Sequence, residues 1–246
     1  MKTGILTRRA AWSGVCLGFL SWAGVARAGA VNDAGIYVSS SGAYMTGTFY
    51  GTSLRAETTI QCEVLGDAWY LPNGQVRCRG WDSDGDSFSC TSEDPELVKV
   101  VETMPAYGWI GVFANGQTCT DISSDRGSVY LPPGTSGRGH PEMSVTSTTA
   151  QGSFYGTRVS ADTTQYAVCG VSAGVGYAYA YCMARDVAGD YFYCSSTSPS
   201  ILSAVRSLKE YSYVWLYRDP SSYDCVEIRV NNSSDYLPEN DLNEPR

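Results

Sequence analysis

The chain has 246 residues, with 17 basic and 25 acidic side chains and a formal net charge of −8. Because an acidic chain without a basic cluster repels phosphate, we exclude nucleic acids and anionic membrane surfaces as partners. The single histidine limits histidine-dependent catalysis, and nine cysteines favour a disulfide framework.

The N-terminus has the pattern of an export signal. Basic residues up to Arg9 precede an apolar run at 10–25, and Ala26-Arg27-Ala28 follows as a small-x-small cleavage site. A retained membrane anchor is the alternative, but the run is short for a membrane span. We therefore predict a signal peptide over 1–28 and a secreted or periplasmic protein with no membrane span in the mature chain.

The rest of the chain contains an internal repeat. The segment GTFYGT at 47–52 returns as GSFYGT at 152–157. Further matches are Cys78 with Cys182, Cys90 with Cys194, Pro95 with Pro199, Trp109 with Trp215, and Cys119 with Cys225. Such periodicity predicts two tandem modules. We place the first repeat module at 29–132, a Gly/Pro linker at 133–142, the second module at 143–238, and a polar tail at 239–246.

Each module begins with β-favouring residues, so we expect strands around Phe49 and Phe154. Strands at 75–81 and 87–90 then flank an aspartate-rich turn. Next, Asp94-Pro95 and Ser198-Pro199 place a capping oxygen before a helical proline, which predicts one short helix per module.

Two further strands follow each helix. In the first module they flank Asn115-Gly116, a dipeptide typical of tight hairpin turns. The fold class is therefore mainly β, with the order strands, helix, two strands, and this order matches a small OB-like barrel. A helix packed on an antiparallel sheet is the alternative that the order leaves open.

The cysteines predict four disulfides. Loss of Cys16 with the signal leaves eight: Cys62, Cys78, Cys90, Cys119, Cys169, Cys182, Cys194 and Cys225. Within modules we favour Cys62–Cys78 with Cys90–Cys119, and Cys169–Cys182 with Cys194–Cys225. Pairing of Cys78 with Cys90 across their own hairpin is an alternative. Zinc is disfavoured because no CxxC occurs.

The turn of the first hairpin resembles a calcium loop, with Asp82, Asp84 and Asp86 around Gly85. The second module keeps the outer aspartates and the glycine but has Ala188 in place of Asp84. What the modules share is therefore a turn, in which an aspartate bonds its own backbone. Calcium remains a hypothesis for the first module alone.

Catalytic constellations are missing from the sequence. His140 lies in the linker, where we expect it to be solvated, and no nucleophile and base are held together. Nothing brings two carboxylates to the separation that a glycosidase needs. We therefore predict a protein that is not an enzyme and needs no cofactor, with a glycosidase-like hydrolase or a toxin- or inhibitor-type module as alternatives.

Tyrosines give the one positive indication of function. Tyr177, Tyr179 and Tyr181 alternate, so a strand presents them on one face. Tyr191 and Tyr193 join this face if the hairpin register allows. The face is expected to bind a glycan or protein surface, or else to pack between modules or in an oligomer. Trp109 and Trp215 are expected in the core.

Overall fold

The computed structural model describes residues 34–67, 71–132 and 140–233. The predicted signal peptide, most of the linker and the polar tail lie outside the described residues. Within these ranges the protein is mainly β, with four short α-helices and four disulfides. No helix within the described ranges is long and apolar enough to cross a membrane.

The first half, residues 34–132, contains seven strands and two α-helices. In chain order they are β1 (Tyr37–Val38), β2 (Tyr44–Thr48), α1 (Phe49–Ser53), β3 (Thr59–Asp67), β4 (Leu71–Trp81), β5 (Ser87–Ser92), α2 (Pro95–Glu102), β6 (Trp109–Asn115) and β7 (Thr118–Gly127). A 3-10 turn at Ser128–Tyr130 ends this half.

The second half, residues 140–233, has the same order of strands and α-helices. They are β8 (Ser144–Val145), β9 (Thr149–Ser153), α3 (Phe154–Val159), β10 (Tyr166–Gly174), β11 (Tyr177–Arg185), β12 (Tyr191–Ser196), α4 (Pro199–Arg206), β13 (Tyr213–Arg218) and β14 (Cys225–Asn231).

Each half forms a four-stranded and a three-stranded group of antiparallel strands. The first half has the orders β1-β2-β6-β7 and β3-β4-β5, and the second has β8-β9-β13-β14 and β10-β11-β12. Antiparallel pairing of β7 with β10 joins groups from both halves into the row β1-β2-β6-β7-β10-β11-β12. A short parallel contact of β5 with β7, at Thr91 and Thr118, adds β3-β4-β5 and makes it a ten-stranded sheet. One continuous sheet therefore crosses the boundary between the halves.

The helices α2 and α4 lie where the sequence predicts. The Asp94 carboxylate accepts hydrogen bonds from the backbone N–H groups of Glu96 and Leu97, and Pro95 occupies the first turn. In α4 the Ser198 side chain makes no such cap and instead bonds the hydroxyl of Ser200.

The segments around Phe49 and Phe154 correct the sequence analysis. They form the one-turn helices α1 and α3 and not strands, so each half has two helices instead of one. The hydroxyl of Thr48 accepts from Gly51 N, and that of Ser153 accepts from Gly156 N. These N-caps stabilise a helical turn that outweighs the β-preference of the aromatic residues.

The disulfides pair as the sequence favours: Cys62–Cys78, Cys90–Cys119, Cys169–Cys182 and Cys194–Cys225. Each bond joins residues of the same half, two bonds in each half. The first and third bonds join directly opposed residues of neighbouring strands.

The aspartate turns also agree with the prediction. One oxygen of Asp82 accepts from the backbone of Asp84 and Asp86, and the other accepts from Val38 N in β1 at 2.9 Å. In the second half Asp186 bonds Asp190 N and Val145 N in the same way. The turn therefore fixes the first strand of its own half.

Trp109 and Trp215 do not occupy corresponding positions in the two halves. Trp109 lies opposite Thr48, the N-cap of α1, whereas Tyr213 lies opposite Ser153, the N-cap of α3. Trp215 follows two residues later. Both tryptophans are half-buried, and not in the core as predicted, because they lie on the outward faces of β6 and β13.

Candidate functional site

The sheet that crosses the two halves exposes one face lined with aromatic side chains. Side chains of directly opposed residues on neighbouring strands share a face. On β11, Met183 opposes Tyr193 of β12, and Tyr181 opposes Gly170 of β10. Gly170 in turn opposes Asp125 of β7. Following the register across all seven strands gives the aromatic face: Tyr37, Tyr44, Trp109, Phe113, Tyr166, Tyr177, Tyr179, Tyr181, Tyr191 and Tyr193.

All five tyrosines predicted from the sequence lie on this face. Tyr177 and Tyr191 are 53% and 52% exposed, and Tyr179 is 37% exposed. Tyr181 and Tyr193 are half-buried. The hairpin register therefore places the tyrosines of β12 on the same face as those of β11.

A second aromatic group comes from the first half and was not predicted. The rings of Tyr37 and Tyr44 lie 5.8 Å apart, and Tyr44 stacks on Phe113 at 5.6 Å. Tyr37 and Phe113 are about half exposed. The alternation in β2 and β6 carried this signal, but the sequence did not show that these strands share a sheet with β11.

Between the two aromatic groups runs a polar strip on β7 and β10. It contains Asp121, Ser123, Asp125 and Ser172, and the Ser123 hydroxyl donates to Ser172 Oγ at 2.8 Å. The strip therefore offers hydroxyl and carboxylate oxygens between two groups of exposed rings.

Two tyrosines reach across β10 to the carboxylates of β7. The Tyr177 hydroxyl donates to Asp121 Oδ1 at 2.5 Å, and the Tyr181 hydroxyl donates to Asp125 Oδ1. Glycine leaves room beneath each ring, because a Cβ on Gly174 would lie 2.3 Å from Tyr177 Cε1 and one on Gly170 would lie 2.8 Å from Tyr181 Cζ. The aromatic face thus takes part in the contact between the halves, while the Tyr177 side chain stays exposed.

Asp125 is the buried centre of this contact. Burial raises the pKa of its carboxyl to about 6, although hydrogen bonds from Tyr181 and Tyr130 lower the pKa. Burial also raises the pKa of both phenols, so they remain donors to the carboxylate. Asp121 is half-buried, so its carboxylate can meet a ligand.

Arg126, the residue after Asp125, was also missed by sequence reasoning. Its buried guanidinium donates to Thr103 O at the end of α2, and to Arg206 O and Leu208 O at the end of α4. Burial lowers its pKa to about 10, so it stays protonated at neutral pH. One cation therefore satisfies the C-termini of one helix from each half.

The face does not have the geometry of a glycosidase. Asp121 and Asp125 are four residues apart on one strand, so their Cα atoms lie about 13 Å apart and their side chains run parallel on the same face. Paired glycosidase carboxylates stand only about 5–9.5 Å apart. His140 packs edge-on against Tyr155, with ring centroids 5.1 Å apart, and is half-buried instead of solvated.

The described residues contain no group of three or more metal-ligating side chains placed to hold an ion. At the predicted calcium position, both carboxylate oxygens of Asp82 already accept backbone hydrogen bonds. Asp82 is therefore occupied as a turn residue, and Asp84 and Asp86 are left to contact solvent.

A cleft of about 370 Å³ lies beside the aromatic face, between α2 and α4. Glu96 lines it and pairs with Lys99 at 2.7 Å and Arg206 at 3.1 Å. Tyr177 forms part of its wall. The charged side chains of the cleft are thus engaged in ion pairs with each other. We therefore assign the candidate site to the aromatic face and not to the cleft.

Comparison with known proteins adds no assignment. No protein-family model matches the chain, and no curated protein or solved structure matches it.

Proposed function

We propose that the protein is an exported, non-catalytic binding protein that recognises a neutral glycan through its aromatic face. In this proposal the two halves are homologous disulfide-stabilised modules, and the OB-like barrel remains a prediction for each. The observation that carries the proposal is the polar strip between two groups of exposed aromatic rings on one sheet.

The chemistry of this face suits a sugar chain. Tyrosine and phenylalanine rings present broad apolar surfaces on which the C–H faces of sugars stack. The oxygens of Asp121, Ser123 and Ser172 can accept hydrogen bonds from sugar hydroxyl groups. Six strand spacings of about 4.8 Å make the face roughly 29 Å wide, enough for several sugar rings.

The sign of the charge narrows the glycan class. The chain has a net charge of −8, and the strip itself carries the Asp121 carboxylate. Both features repel anionic polysaccharides. A neutral glycan is therefore the ligand that the face favours.

A protein surface is the second candidate, because exposed aromatic side chains also mark protein interfaces. The position of Asp121 argues against it. Charged residues are depleted from the centres of protein interfaces, where a carboxylate would lose its water without a matched partner. Glycan hydroxyl groups, in contrast, replace that water directly.

The test is binding of the purified protein to immobilised neutral polysaccharides, with affinities measured by calorimetry on soluble fragments. We expect Tyr179→Ser, and the double variant with Tyr177→Ser, to weaken binding at least tenfold through loss of stacking. Trp81→Ser is the matched control, since Trp81 is 44% exposed on β4, outside the aromatic face.

Three results would overturn the proposal. The first is that no neutral glycan binds, and the second is that folded tyrosine variants bind as well as the parent. The third is an equal loss in Trp81→Ser. Analysis of the bound glycan for new reducing ends tests the hydrolase alternative, and their appearance would contradict the non-catalytic part.

A further inference from the structure

Among the described residues, two strand edges that correspond to the edges of the β7–β10 contact have no neighbouring strand. β7, the last strand of the first half, pairs with β10 over seven residue pairs, from Asp121–Gly174 to Gly127–Val168. The corresponding last strand of the second half is β14, and the strand of the first half that corresponds to β10 is β3. Among the described residues, β14 pairs only with β13, and β3 pairs only with β4.

The free edge of β3 has its hydrogen-bonding groups directed outward. Cys62 and Cys78 oppose each other with Cα atoms 4.1 Å apart, the spacing of a pair that is not hydrogen-bonded. Cys62 and Val64 therefore direct their backbone N–H and C=O groups away from β4. Cys169 has the same 4.1 Å spacing to Cys182, and its outward groups face β7.

The edge of β14 is held in place in the same way as that of β7. Arg126 lies seven residues after Cys119 and bonds Thr103 O at the end of α2. Asn232 lies seven residues after Cys225 and donates to Ser207 O at the end of α4, at 3.0 Å. Each strand is thus fixed against the helix of its own half.

From this arrangement we propose that β14 of one copy pairs antiparallel with β3 of a second copy, repeating the β7–β10 contact between molecules. Because the two edges differ, the contact is head-to-tail, and it propagates into an open chain or a closed ring. The occupant of each edge is therefore another copy of this protein, and the inference is independent of the glycan proposal.

Transfer of the β7–β10 register defines the contact. Cys169 opposes Arg126, so Cys62 would oppose Asn232 of the next copy, and Val64 would oppose Val230. Leu65 would then oppose Arg229, and Glu63 would oppose Asn231, with Arg229 diagonal to Glu63. No like charges face each other at these four positions, and Glu63 and Arg229 attract across the diagonal. At the far end the same register sets Asp67 opposite Glu227, in place of Gly174 and Asp121, and this pair of like charges weakens the contact there.

Charged residues also moderate the free edges. Glu63 pairs with Arg77 at 3.6 Å and Arg79 at 3.3 Å on the outward side of β3 and β4. On β14, Arg229 pairs with Glu227 at 2.6 Å. Such charges limit uncontrolled edge pairing, so the assembly is expected to be reversible and concentration-dependent.

The experiment uses analytical ultracentrifugation of the purified protein over a wide concentration range. We expect the average mass to rise past that of a dimer. Val64→Pro and Val230→Pro each remove an outward N–H, which blocks one edge without removing a bond to β4 or β13, so each variant alone is expected to be monomeric. Val64→Ala and Val230→Ala are the matched controls, because they shorten the same side chains but keep the N–H.

Mixing the two proline variants tests the head-to-tail geometry. Each retains the edge that the other lacks, so an equimolar mixture is expected to form dimers and to stop there. Asn231→Glu, which would oppose Glu63, gives a second blocked variant if a proline variant loses its fold.

A monomeric parent protein, unaltered assembly in all blocked variants, or a mixture that stays monomeric would overturn the proposal. Association that is lost in Tyr179→Ser and kept in Val64→Pro would also overturn it, because the aromatic face would then be the contact.

Discussion

The strands β7 and β14 end the two halves and have the same place in them, yet their surroundings differ. β7 lies inside the large sheet, between β6 and β10, where Asp125 and Arg126 are buried. The matching positions of β14 hold Asn231 and Asn232, both exposed. Each half keeps the same order of strands and α-helices with either set, so that order does not need the charged pair. What the pair adds is the set of bonds that cross to the second half, from Tyr181 to Asp125 and from Arg126 to the end of α4.

The largest expected effect of this difference is at Arg126. Arg126→Ala leaves three helix-terminal carbonyls without their donor, and we expect it to lower the free energy of unfolding by roughly 3–5 kcal/mol. Asn232→Ala removes a smaller, exposed cap, and we expect a loss of about 1 kcal/mol. Urea unfolding measures both values, and equal losses would contradict the distinction between the two strands.

The next effect is a pH dependence carried by Asp125. Its pKa is about 6 in the folded protein and about 4 in the unfolded chain, so the folded state binds more protons between these values. Its contribution to stability is therefore present below pH 4 and falls as pH rises through 6, by roughly 2–3 kcal/mol.

Asp125→Asn should remove this slope, so the variant gains stability relative to the parent as pH rises from 4 to 7. Unfolding free energies of both proteins across that range measure the effect. Asp121→Asn, which changes a more exposed carboxylate of the same strand, is the control. A difference between parent and Asp125→Asn that does not change with pH would refute the prediction.

The smallest effect concerns a feature that the halves share. Asp82→Ala and Asp186→Ala each remove an anchor that bonds the turn and the first strand of its half, and we expect similar losses of about 2 kcal/mol. Asp84→Ala should change stability by less than about 0.5 kcal/mol. Thermal unfolding with added calcium or chelator completes the test, because a calcium-dependent shift that Asp84→Ala abolishes would restore the metal hypothesis.

Local features could be predicted from the sequence because their causes lie within a few residues. The turn at Asp82 followed from comparison with Ala188 in the second half, and α2 followed from Asp94 and its proline. The disulfide pairing was favoured by the strand order, which still left Cys78–Cys90 as an alternative, since these two residues oppose each other on β4 and β5. In each case the deciding interaction is local or is repeated in the chain.

Other features could not be predicted, for different physical reasons. A capping hydroxyl at Thr48 outweighed the β-preference of the residues that follow it. Spacing alone matched Trp109 with Trp215, because a shift by two residues keeps a side chain on the same face of a strand. The pairing of β7 with β10 left no pattern in the sequence. Alternation of side-chain types along a strand shows which residues share a face, but it does not show which strand lies beside them.

Each of the four disulfides joins two residues of the same half, and this has a consequence for the covalent structure. No cross-link joins the halves, so the backbone between 132 and 140 is their one covalent connection within the described part of the chain. A single peptide cleavage there would turn the protein into a heterodimer held by β7 and β10. Dilution would then separate the halves, whereas the intact chain keeps them at a fixed effective concentration.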